Sequence, residues 1–320
     1  MKDVNIGESD GHGIGNIPMK SISIAYLVLV HRLPDQFKKL FKAIYDSANF
    51  YVIHIDKKAN QEIGKDVEDF LGQYPNVHLL NSENVIWGGY SMVQAELDGI
   101  KYLLSMDEKW DYFINLSGQD YPLKSQKIIK EFLSKNNGKS YIKIDDQEKM
   151  RPETMSRIEN YFEELEDSIS DKTHTRSFMK GITPYIGGQW MILTRACCEF
   201  INNSIEVEKF EDYYTNTLIA DESFFQTVLM NTSFKGTLVN DDKRAIIWIP
   251  DGDIKLRPKT FTENDLEFLQ KGNHLFARKF DDAVDNKIID GIKTHYDEPL
   301  KESVKLKSIN HVSIHFNHLN

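Results

Sequence analysis

The chain has 320 residues, 40% of them apolar, and its 39 Lys and Arg against 49 Asp and Glu give a net charge of −10. A chain of this length can bury a core without disulfides or a structural metal, and its acidic balance argues against a general nucleic-acid-binding protein. The two cysteines, Cys197 and Cys198, are adjacent and cannot form a disulfide framework, which favours a reducing compartment.

The N-terminal end carries no targeting or membrane signal. Residues 1–20 lack the apolar core of a signal peptide, and we interpret them as a disordered leader. The longest apolar run, Ile22–Val30, is about half of the ~20 residues that a membrane span requires. We therefore expect no transmembrane segment.

The first half of the chain alternates strand and helix patterns. Near-continuous apolar runs predict buried strands, and apolar residues at helical spacing predict helices between them. The predicted strands are Ile22–Val30, Phe50–Ile55, Val77–Leu80 and Tyr112–Leu116, and the helical stripes run from Phe37 to Ile44 and from Val93 to Leu104. This alternation predicts an α/β fold, with a Rossmann-like, mostly parallel central sheet flanked by helices.

The second half is less regular. Its composition predicts an exposed acidic helix, a polar and mobile loop, two strands and three further helices. In chain order these are the helix Arg151–Glu166, the loop Ser168–Lys180, the strand Trp190–Thr194, the helix Ser223–Met230, the strand Ala245–Ile249, and the helices Leu266–Leu269 and Ala283–Ile292.

Polar and glycine residues follow the predicted strands where a ligand would bind. His31 follows the first strand, Asp56 the second and Gly118–Asp120 the fourth, and Trp87–Tyr90 precedes a helix. In open α/β sheets, ligands bind at the carboxyl ends of the strands. Each segment alone is more typical of an ordinary turn, but together they favour a nucleotide site. Asp56 would bind a ribose or base edge there, and Trp87 would stack on a base.

An acidic pair precedes the predicted helix Ser223–Met230. At a helix N-terminus Asp221 suits a cap, and Glu222 would stay ionised beside the positive end of the helix dipole. An ionised, positioned carboxylate is what a general base must be. A plain acidic first turn is the alternative, and it is the commoner source of such a pair.

A second group of charged residues lies near the C-terminal end. Arg278 and Lys279 lie among aromatic residues, with Arg257 and Lys259 upstream. Half-buried cations suit a diphosphate, and the alternative is a strand edge with snorkelling side chains. If the segment is extended, Arg278 and Lys279 point to opposite faces.

Two patterns raise the question of a metal. Asp251-Gly252-Asp253 has the Asp-x-Asp form that binds a metal–nucleotide complex in many sugar transferases, but it is more typical of a turn. His311, His315 and His318 have helical spacing without an accompanying carboxylate. We therefore predict no metal site.

Seven segments, in this order, make the sequence resemble the core-2/I-branching β-1,6-N-acetylglucosaminyltransferase and peptide O-xylosyltransferase family, glycosyltransferase family fourteen. The resemblance runs from about Ile24 to about Ile292. The segments are IAYLVLVHRLP, FYVIHIDKK, VIWGGYSMVQAEL, YFINLSGQDYPLKS, GGQWMILTR, ADESFFQTVL and NHLFARKFD.

The resemblance implies a GT-A fold, a UDP-sugar donor, inversion at the anomeric carbon and no metal or other cofactor. It implies that Glu222 is the catalytic base and that Lys279 holds the diphosphate with Arg257, for which Lys259 is a rival. The other implied donor-site residues are His31, Asp56, Trp87, Gly88, Gln119 and Asp120, and the implied acceptor-site residues are Gln189, Trp190 and Trp248.

The resemblance also frames the organisation of the chain. We expect a single catalytic domain over residues 21–295, with a nucleotide-binding half (21–145), an acceptor and catalytic half (146–295) and a C-terminal tail (296–320). We expect neither the cysteine framework nor the membrane anchor of animal members. This favours a cytoplasmic, bacterial-type enzyme of polysaccharide biosynthesis, and leaves room for peripheral contact with a membrane-bound acceptor.

Donor and acceptor stay open at this point. The donor sugar is GlcNAc or xylose, and the acceptor is a glycan or other glycoconjugate. Two alternatives remain: a metal-dependent nucleotide-sugar enzyme that uses Asp251 and Asp253, and a non-catalytic module that binds UDP-sugars or glycans.

Overall fold

The structure is a computed structural model that describes residues 21–252 and 255–300. The predictions for residues 1–20, for Asp253, and for His311, His315 and His318 lie outside these ranges. At the C-terminal end, Tyr296 packs against the core and stacks on Tyr121, with the ring centroids 6.1 Å apart.

The strands form one large sheet and several small ones. In chain order they are β1 Ile24–Val30, β2 Phe50–Ile55, β3 Val77–Leu79, β4 Tyr112–Ser117, β5 Asp120–Pro122, β6 Ser140–Ile142, β7 Asp145–Asp146, β8 Asn160–Tyr161, β9 His174–Thr175, β10 Tyr185–Ile186, β11 Met191–Thr194, β12 Leu238–Asn240, β13 Arg244–Ile246, β14 Trp248–Asp251, β15 Lys255–Pro258 and β16 Phe276–Arg278.

Helices pack on both faces of the large sheet. They are α1 Pro34–Ile44, α2 Lys57–Ala59, α3 Lys65–Leu71, α4 Ser91–Ser105, α5 Gln126–Lys135, α6 Gln147–Met150, α7 Ser156–Glu159, α8 Arg195–Asn203, α9 Ile205–Tyr214, α10 Phe224–Met230, α11 Leu266–Lys271 and α12 Ile288–Lys293. A π-helical turn, Asn60–Gly64, joins α2 to α3, and 3₁₀ turns cover Pro152–Thr154, Ala220–Glu222, Ser233–Thr237 and Glu263–Asp265.

The central sheet has seven strands in the order β12-β6-β11-β4-β1-β2-β3. The pairs β4–β1, β1–β2, β2–β3 and β12–β6 are parallel, and β11 is antiparallel to both of its neighbours. Helices cover both faces, which confirms the predicted α/β class and agrees with a GT-A-like fold. Strands from both halves of the chain share this sheet.

Strand β1 shows why its sequence is an unbroken apolar run. Tyr26 and Val28 pack into a core shared with α1, whereas Ala25 and Leu27 pack into a second core shared with α4. A strand buried on both faces needs apolar residues at every position, not at alternate ones. The unbroken apolar run of β1 therefore reflects its inner position in the sheet.

Two predicted helices are wrong in extent. Arg151–Glu166 is not one helix: Pro152 removes a backbone donor and starts a 3₁₀ turn, α7 ends at Glu159, and Phe162 N donates to Asn216 O at 3.0 Å instead of to a helical carbonyl. The last helix begins at Ile288, not at Ala283.

The predicted strand Ala245–Ile249 is also wrong, because it is divided between two sheets. Its first part belongs to β13, which pairs with β16, and its last part belongs to β14, which pairs with β15. The break falls at Ile247, whose carbonyl accepts a hydrogen bond from Lys259 N at 2.7 Å. Apolar periodicity carries no signal for such a change of partner.

Candidate active site

The carboxyl ends of the parallel strands meet at one edge, as predicted. Asp56 N donates to Val30 O at 2.8 Å, and Gly118 N donates to Leu29 O at 2.9 Å. These contacts bring the segments that follow β1, β2 and β4 together. The predicted residues at this edge are therefore neighbours in space.

On the β2 side of this edge, Asp56 shapes the loops. Its carboxylate accepts from Lys58 N at 2.8 Å and from Val85 N at 3.2 Å. The second contact holds the segment that leads to Trp87, whose side chain is 70% exposed. An exposed indole beside a carboxylate suits a stacked base and a bound ribose.

The glycine after Trp87 links this loop to the acidic pair. Gly88 has a φ of +82°, which favours glycine, and its carbonyl accepts from Ile219 N at 2.7 Å. Ile219 immediately precedes the 3₁₀ turn Ala220–Glu222. The loop that carries Trp87 and the turn that carries Glu222 are thus joined.

A three-stranded sheet, in the order β13-β16-β5, lies beside the same edge. Its register pairs Arg278 with Asp120 and Arg244 with Phe276. Residues more than 120 positions apart in the chain are thereby brought into contact. The cations of the site are arranged by this small sheet.

Asp120 is the centre of a buried ion cluster. Its Oδ2 accepts from Arg244 Nη1 at 3.2 Å and from Ser117 N at 3.1 Å, and its Oδ1 accepts from Arg278 Nη1 at 3.1 Å. The carboxylate is fully buried and both oxygens are engaged. In the structure Asp120 is thus a partner of the two arginines, and its place in the donor site stays a prediction.

Trp190 supports the two arginines of this cluster. The guanidinium carbons of Arg244 and Arg278 lie 4.8 Å and 4.9 Å from its ring centroid, within the range of a cation–π interaction. Only 5% of Trp190 is exposed. The ring of Trp190 thus packs against the two guanidinium groups, and its place in an acceptor site stays a prediction.

Four cations gather around the end of β16. Burial lowers the pKa of Lys279, and so do the positive charges of Arg278, Arg32 and Arg257. Within the described ranges, no carboxylate forms an ion pair with Lys279. A cluster of cations with a surplus of positive charge is a good site for a diphosphate.

His31 belongs to the same cluster. Loss of hydration and the nearby guanidinium groups of Arg278 and Arg32 lower the pKa of His31, so its neutral form is favoured. Strand β16 ends at Arg278, so strand alternation does not extend to Lys279. The extended segment on which the expectation of opposite faces depended therefore does not reach Lys279, and both charges act on His31.

Gln119 fixes the position of one of these cations. Its Oε1 accepts from Arg32 Nε at 3.2 Å, and its Nε2 donates to Phe280 O at 3.3 Å. The Gln119 side chain is buried, and its two hydrogen bonds fix the positions of Arg32 and of Phe280, the residue after Lys279. Gln119, like Asp120, supports the cation cluster.

The two candidates for the upstream phosphate ligand differ in their partners. The Lys259 ammonium contacts the Asp265 carboxylate in a half-buried ion pair. Arg257 makes a longer, exposed contact with Asp251, at 3.4 Å from Nε, and its charge also acts on Lys279. These contacts favour Arg257 over Lys259. Asp251 ends β14, and Gly252 after it has a φ of +73°, as expected of a turn.

Glu222 lies in the 3₁₀ turn that precedes α10. Its Oε2 accepts from Arg157 Nη1 at 2.8 Å, and its carbonyl accepts from Gly187 N at 2.7 Å. About three-quarters of the side chain is buried. The expectation that Asp221 caps the helix is wrong, because Ser223 occupies the N-cap position of α10.

Two buried carboxyl groups lie behind Glu222. Burial, with the charge of Glu222, raises the pKa of Asp221 to about 7. Burial and the charge of Asp221 raise the pKa of Glu96 well above its usual value. Glu96 Oε1 accepts from Asn115 Nδ2 at 2.7 Å and from Gln189 Nε2 at 3.2 Å. The Gln189 amide nitrogen therefore donates to Glu96, and the place of Gln189 in an acceptor site stays a prediction.

One short segment connects the carboxylate to the cations. Gly187 bonds to the carbonyl of Glu222, and Trp190 stacks on Arg278. Gly187 and Trp190 are three residues apart, so their Cα atoms lie at most about 11 Å apart, and this segment links the turn of Glu222 to the cations. Trp248 on β14 is 52% exposed and can offer its ring to a ligand.

Several site residues are missing from the sequence prediction. Arg32 lies two residues after the first predicted strand, a signal that could have identified it. Glu96 lies on the apolar stripe of α4, where a buried charge is unusual. Arg157 and Arg244 carry no local signal. Within the described residues, no group of three or more His, Cys, Asp or Glu side chains is arranged to hold a metal.

Comparison with known proteins adds independent information. A family model described as Core-2/I-Branching enzyme matches residues 24–271. Xylosyltransferase 2 of Mus musculus is 32% identical over 300 residues, which cover 88% of this chain and 34% of that protein. Xylosyltransferase 1 of Rattus norvegicus is 31% identical over 298 residues, which cover 88% and 36%.

A human relative gives the same picture. Xylosyltransferase 2 of Homo sapiens is 32% identical over 292 residues, which cover 86% of this chain and 34% of that protein. The chain thus spans about a third of the length of these relatives. In the described ranges, none of the helices has the length and apolar character to cross a bilayer.

Proposed function

Because the chain belongs to the Core-2/I-Branching enzyme family, glycosyltransferase family fourteen, we propose that it transfers a sugar from a UDP-sugar to a hydroxyl group of a glycan or glycoconjugate, with inversion. The observation that carries the proposal is the position of Glu222 and the Lys279 cation cluster at the two ends of the segment Gly187–Trp190. Xylose is the first donor sugar to test, because the relatives are named xylosyltransferases, and GlcNAc is the second.

The reaction is a single displacement. Glu222 takes the proton of the acceptor hydroxyl as that oxygen forms a bond to C1 of the donor sugar. The bond from C1 to the diphosphate oxygen breaks, and UDP leaves with the electron pair. Lys279, Arg257 and Arg278 stabilise the negative charge that grows on the diphosphate.

Charge balance around Asp120 supports a mechanism without a metal. In the resemblance, Gly118-Gln119-Asp120 takes the place of the Asp-x-Asp motif. Both oxygens of Asp120 accept hydrogen bonds from arginines. One of these arginines, Arg278, belongs to the Lys279 cation cluster, and its charge acts on Lys279. A guanidinium held in this way can supply the positive charge that a divalent cation supplies elsewhere.

We expect transfer to survive an excess of EDTA. The measurement is the initial rate of UDP release in the presence of acceptor, with and without chelator and then with added Mn²⁺. Loss of activity that Mn²⁺ restores would support the metal-dependent alternative. Asp251→Asn, at the exposed end of β14, would then test whether that carboxylate is a ligand.

Substitution of Arg257 and Lys259 should separate the two candidate phosphate ligands. Arg257→Ala is expected to weaken UDP binding about tenfold, the effect of one charge-assisted contact in a partly exposed place. Lys259→Ala breaks the pair with Asp265 and should lower thermal stability while leaving UDP affinity nearly unchanged. Titration calorimetry with UDP and a thermal melt decide this, and the opposite pattern would assign the role to Lys259.

Donor choice and catalysis need a direct assay. Thermal-shift titration with UDP-xylose, UDP-GlcNAc and UDP, followed by product analysis with glycan and peptide acceptors, tests the proposal. We expect stabilisation by UDP and by one UDP-sugar above the others, and turnover of that sugar. Binding without turnover over a broad set of acceptors would favour the non-catalytic module.

A further inference from the structure

Arg157 makes the contact that defines the environment of Glu222. Its Nη1 donates to Glu222 Oε2 at 2.8 Å, and both side chains are about three-quarters buried. The backbone of α7 is also hydrogen-bonded to the segment that precedes Glu222, because Leu218 N donates to Arg157 O at 3.2 Å. The guanidinium is therefore held on one oxygen of the carboxylate. Glu222 Oε1 has no hydrogen-bond partner among the residues that the structure describes.

The other charges near Glu222 are negative. Asp221 is its neighbour in the chain, and the charge of Asp221 acts in turn on Glu96 of α4. The Asp242 carboxylate lies near Gly188, since its Oδ2 would be 3.9 Å from a Cβ atom built on that glycine. Gly187, next to that glycine, bonds to the carbonyl of Glu222. Among the described residues, Arg157 is the cation that pairs with this group.

The three carboxyl groups differ in their electrostatic surroundings. Desolvation and like charges favour the neutral form of a carboxyl group, and a cation in contact favours the charged form. Glu222 has the cation, whereas Asp221 and Glu96 have burial and like charges. The contact with Arg157 is the feature that distinguishes Glu222 from the two carboxyl groups behind it.

We propose that Arg157 is a positioning residue for the reaction: it holds Glu222 Oε2 so that Oε1 faces the acceptor hydroxyl, and it places a positive charge against Glu222 beside the carboxyl groups of Asp221 and Glu96. This inference rests on the proposed role of Glu222 as the base. Arg157 does not itself exchange a proton.

The test is the pH profile of kcat/KM for Arg157→Gln. Loss of the cation should move the acidic limb to higher pH by about 1–3 units, the usual size of the effect of an adjacent arginine on a carboxyl pKa. Activity should therefore fall most below pH 7 and recover at alkaline pH. The matched control is Arg151→Gln, which removes the same charge from a nearby residue that pairs with Glu153 at 2.8 Å. The acidic limb of the pH profile of Arg151→Gln should lie at the same pH as that of the wild type.

Arg157→Lys keeps the charge and loses the planar fork. We expect its acidic limb to stay near that of the wild type while kcat falls several-fold, because Glu222 is less well oriented. This variant carries the test if Arg157→Gln does not fold, which a thermal melt shows. A Lys variant with wild-type kcat would overturn the positioning role.

The outcomes separate this inference from the proposed function. If Glu222→Gln retains turnover, the base assignment fails, whatever Arg157 does. If Glu222→Gln is inactive and Arg157→Gln loses activity equally at every pH, the base assignment stands and the Arg157 inference is overturned. That uniform loss, with a lower melting temperature, would mean that Arg157 only stabilises the fold.

Discussion

Glu222→Gln should lower the rate of sugar transfer by about 10²–10⁴-fold, the usual contribution of a general base. The amide has nearly the size of the carboxylate and can still face Arg157, but it cannot accept the proton of an acceptor hydroxyl. UDP affinity should stay nearly unchanged, since the contacts proposed for the diphosphate lie on the cation cluster. Steady-state kinetics and calorimetry with UDP measure both quantities.

The matched control for Glu222→Gln is Glu153→Gln. Glu153 lies in the 3₁₀ turn before α7, where it pairs with Arg151, so its loss changes the local charge equally without touching Glu222. Near wild-type turnover of Glu222→Gln would remove this residue from the mechanism. An equal loss in both variants would point to a general field effect in place of proton transfer.

The predictable part of the fold depended on residues that are close together in the chain. Runs such as Ile24–Val30 and Phe50–Ile55 are apolar at every position because each strand is buried on both faces, and this requirement is readable without knowledge of the partners. The rule that ligands bind at the carboxyl ends of such strands then placed His31 and Asp56 together. The hydrogen bonds from Asp56 N and Gly118 N to β1 confirm that the segments after these strands lie side by side.

The unpredicted part of the site depended on pairing between distant, very short strands. Asp120, Arg244 and Arg278 meet because three strands of three residues pair in one register. Three residues are too few to show a period, so no local pattern marks these strands. The pairing of Asp120 with two arginines was consequently not foreseen, and Arg244 was not identified at all.

Arg157 was missed for a related reason. The segment around it is rich in charged residues, and such segments are usually solvated helix faces, so Arg151–Glu166 was interpreted as an exposed helix. The contact with Glu222 depends on where α7 ends, and that end is set by tertiary contacts such as the bond from Phe162 N to Asn216 O. Helix propensity alone does not contain this information.

Replacement of Lys279 by Met should weaken UDP binding by about 1.5–3 kcal/mol, the value of one hydrogen bond to a charged group. The methionine side chain keeps much of the length and apolar packing of the lysine stem. The fall in kcat/KM should exceed the loss of UDP affinity. Charge on the diphosphate grows as the bond to C1 breaks, so a cation there stabilises the transition state more than the bound substrate.

The control for Lys279→Met must remove one positive charge without altering the cation cluster at the end of β16. Arg278 does not qualify, because it pairs with Asp120 and stacks on Trp190, and its loss would leave a buried carboxylate with one partner fewer. Lys271 on α11 does qualify, because its pairing is with the exposed Glu267. Lys271→Met should therefore bind UDP like the wild type.

Comparison of the two lysine variants decides between a defined site and a diffuse field. If Lys279 contacts the diphosphate, Lys279→Met is impaired, Lys271→Met is not, and the difference persists at high salt, because interactions in a partly buried cluster are weakly screened. Lys279→Arg should retain part of the activity, since it keeps the charge. Equal losses in Lys279→Met and Lys271→Met that vanish at high salt would mean that the protein attracts UDP only by its general potential, and the phosphate site at the end of β16 would have to be abandoned.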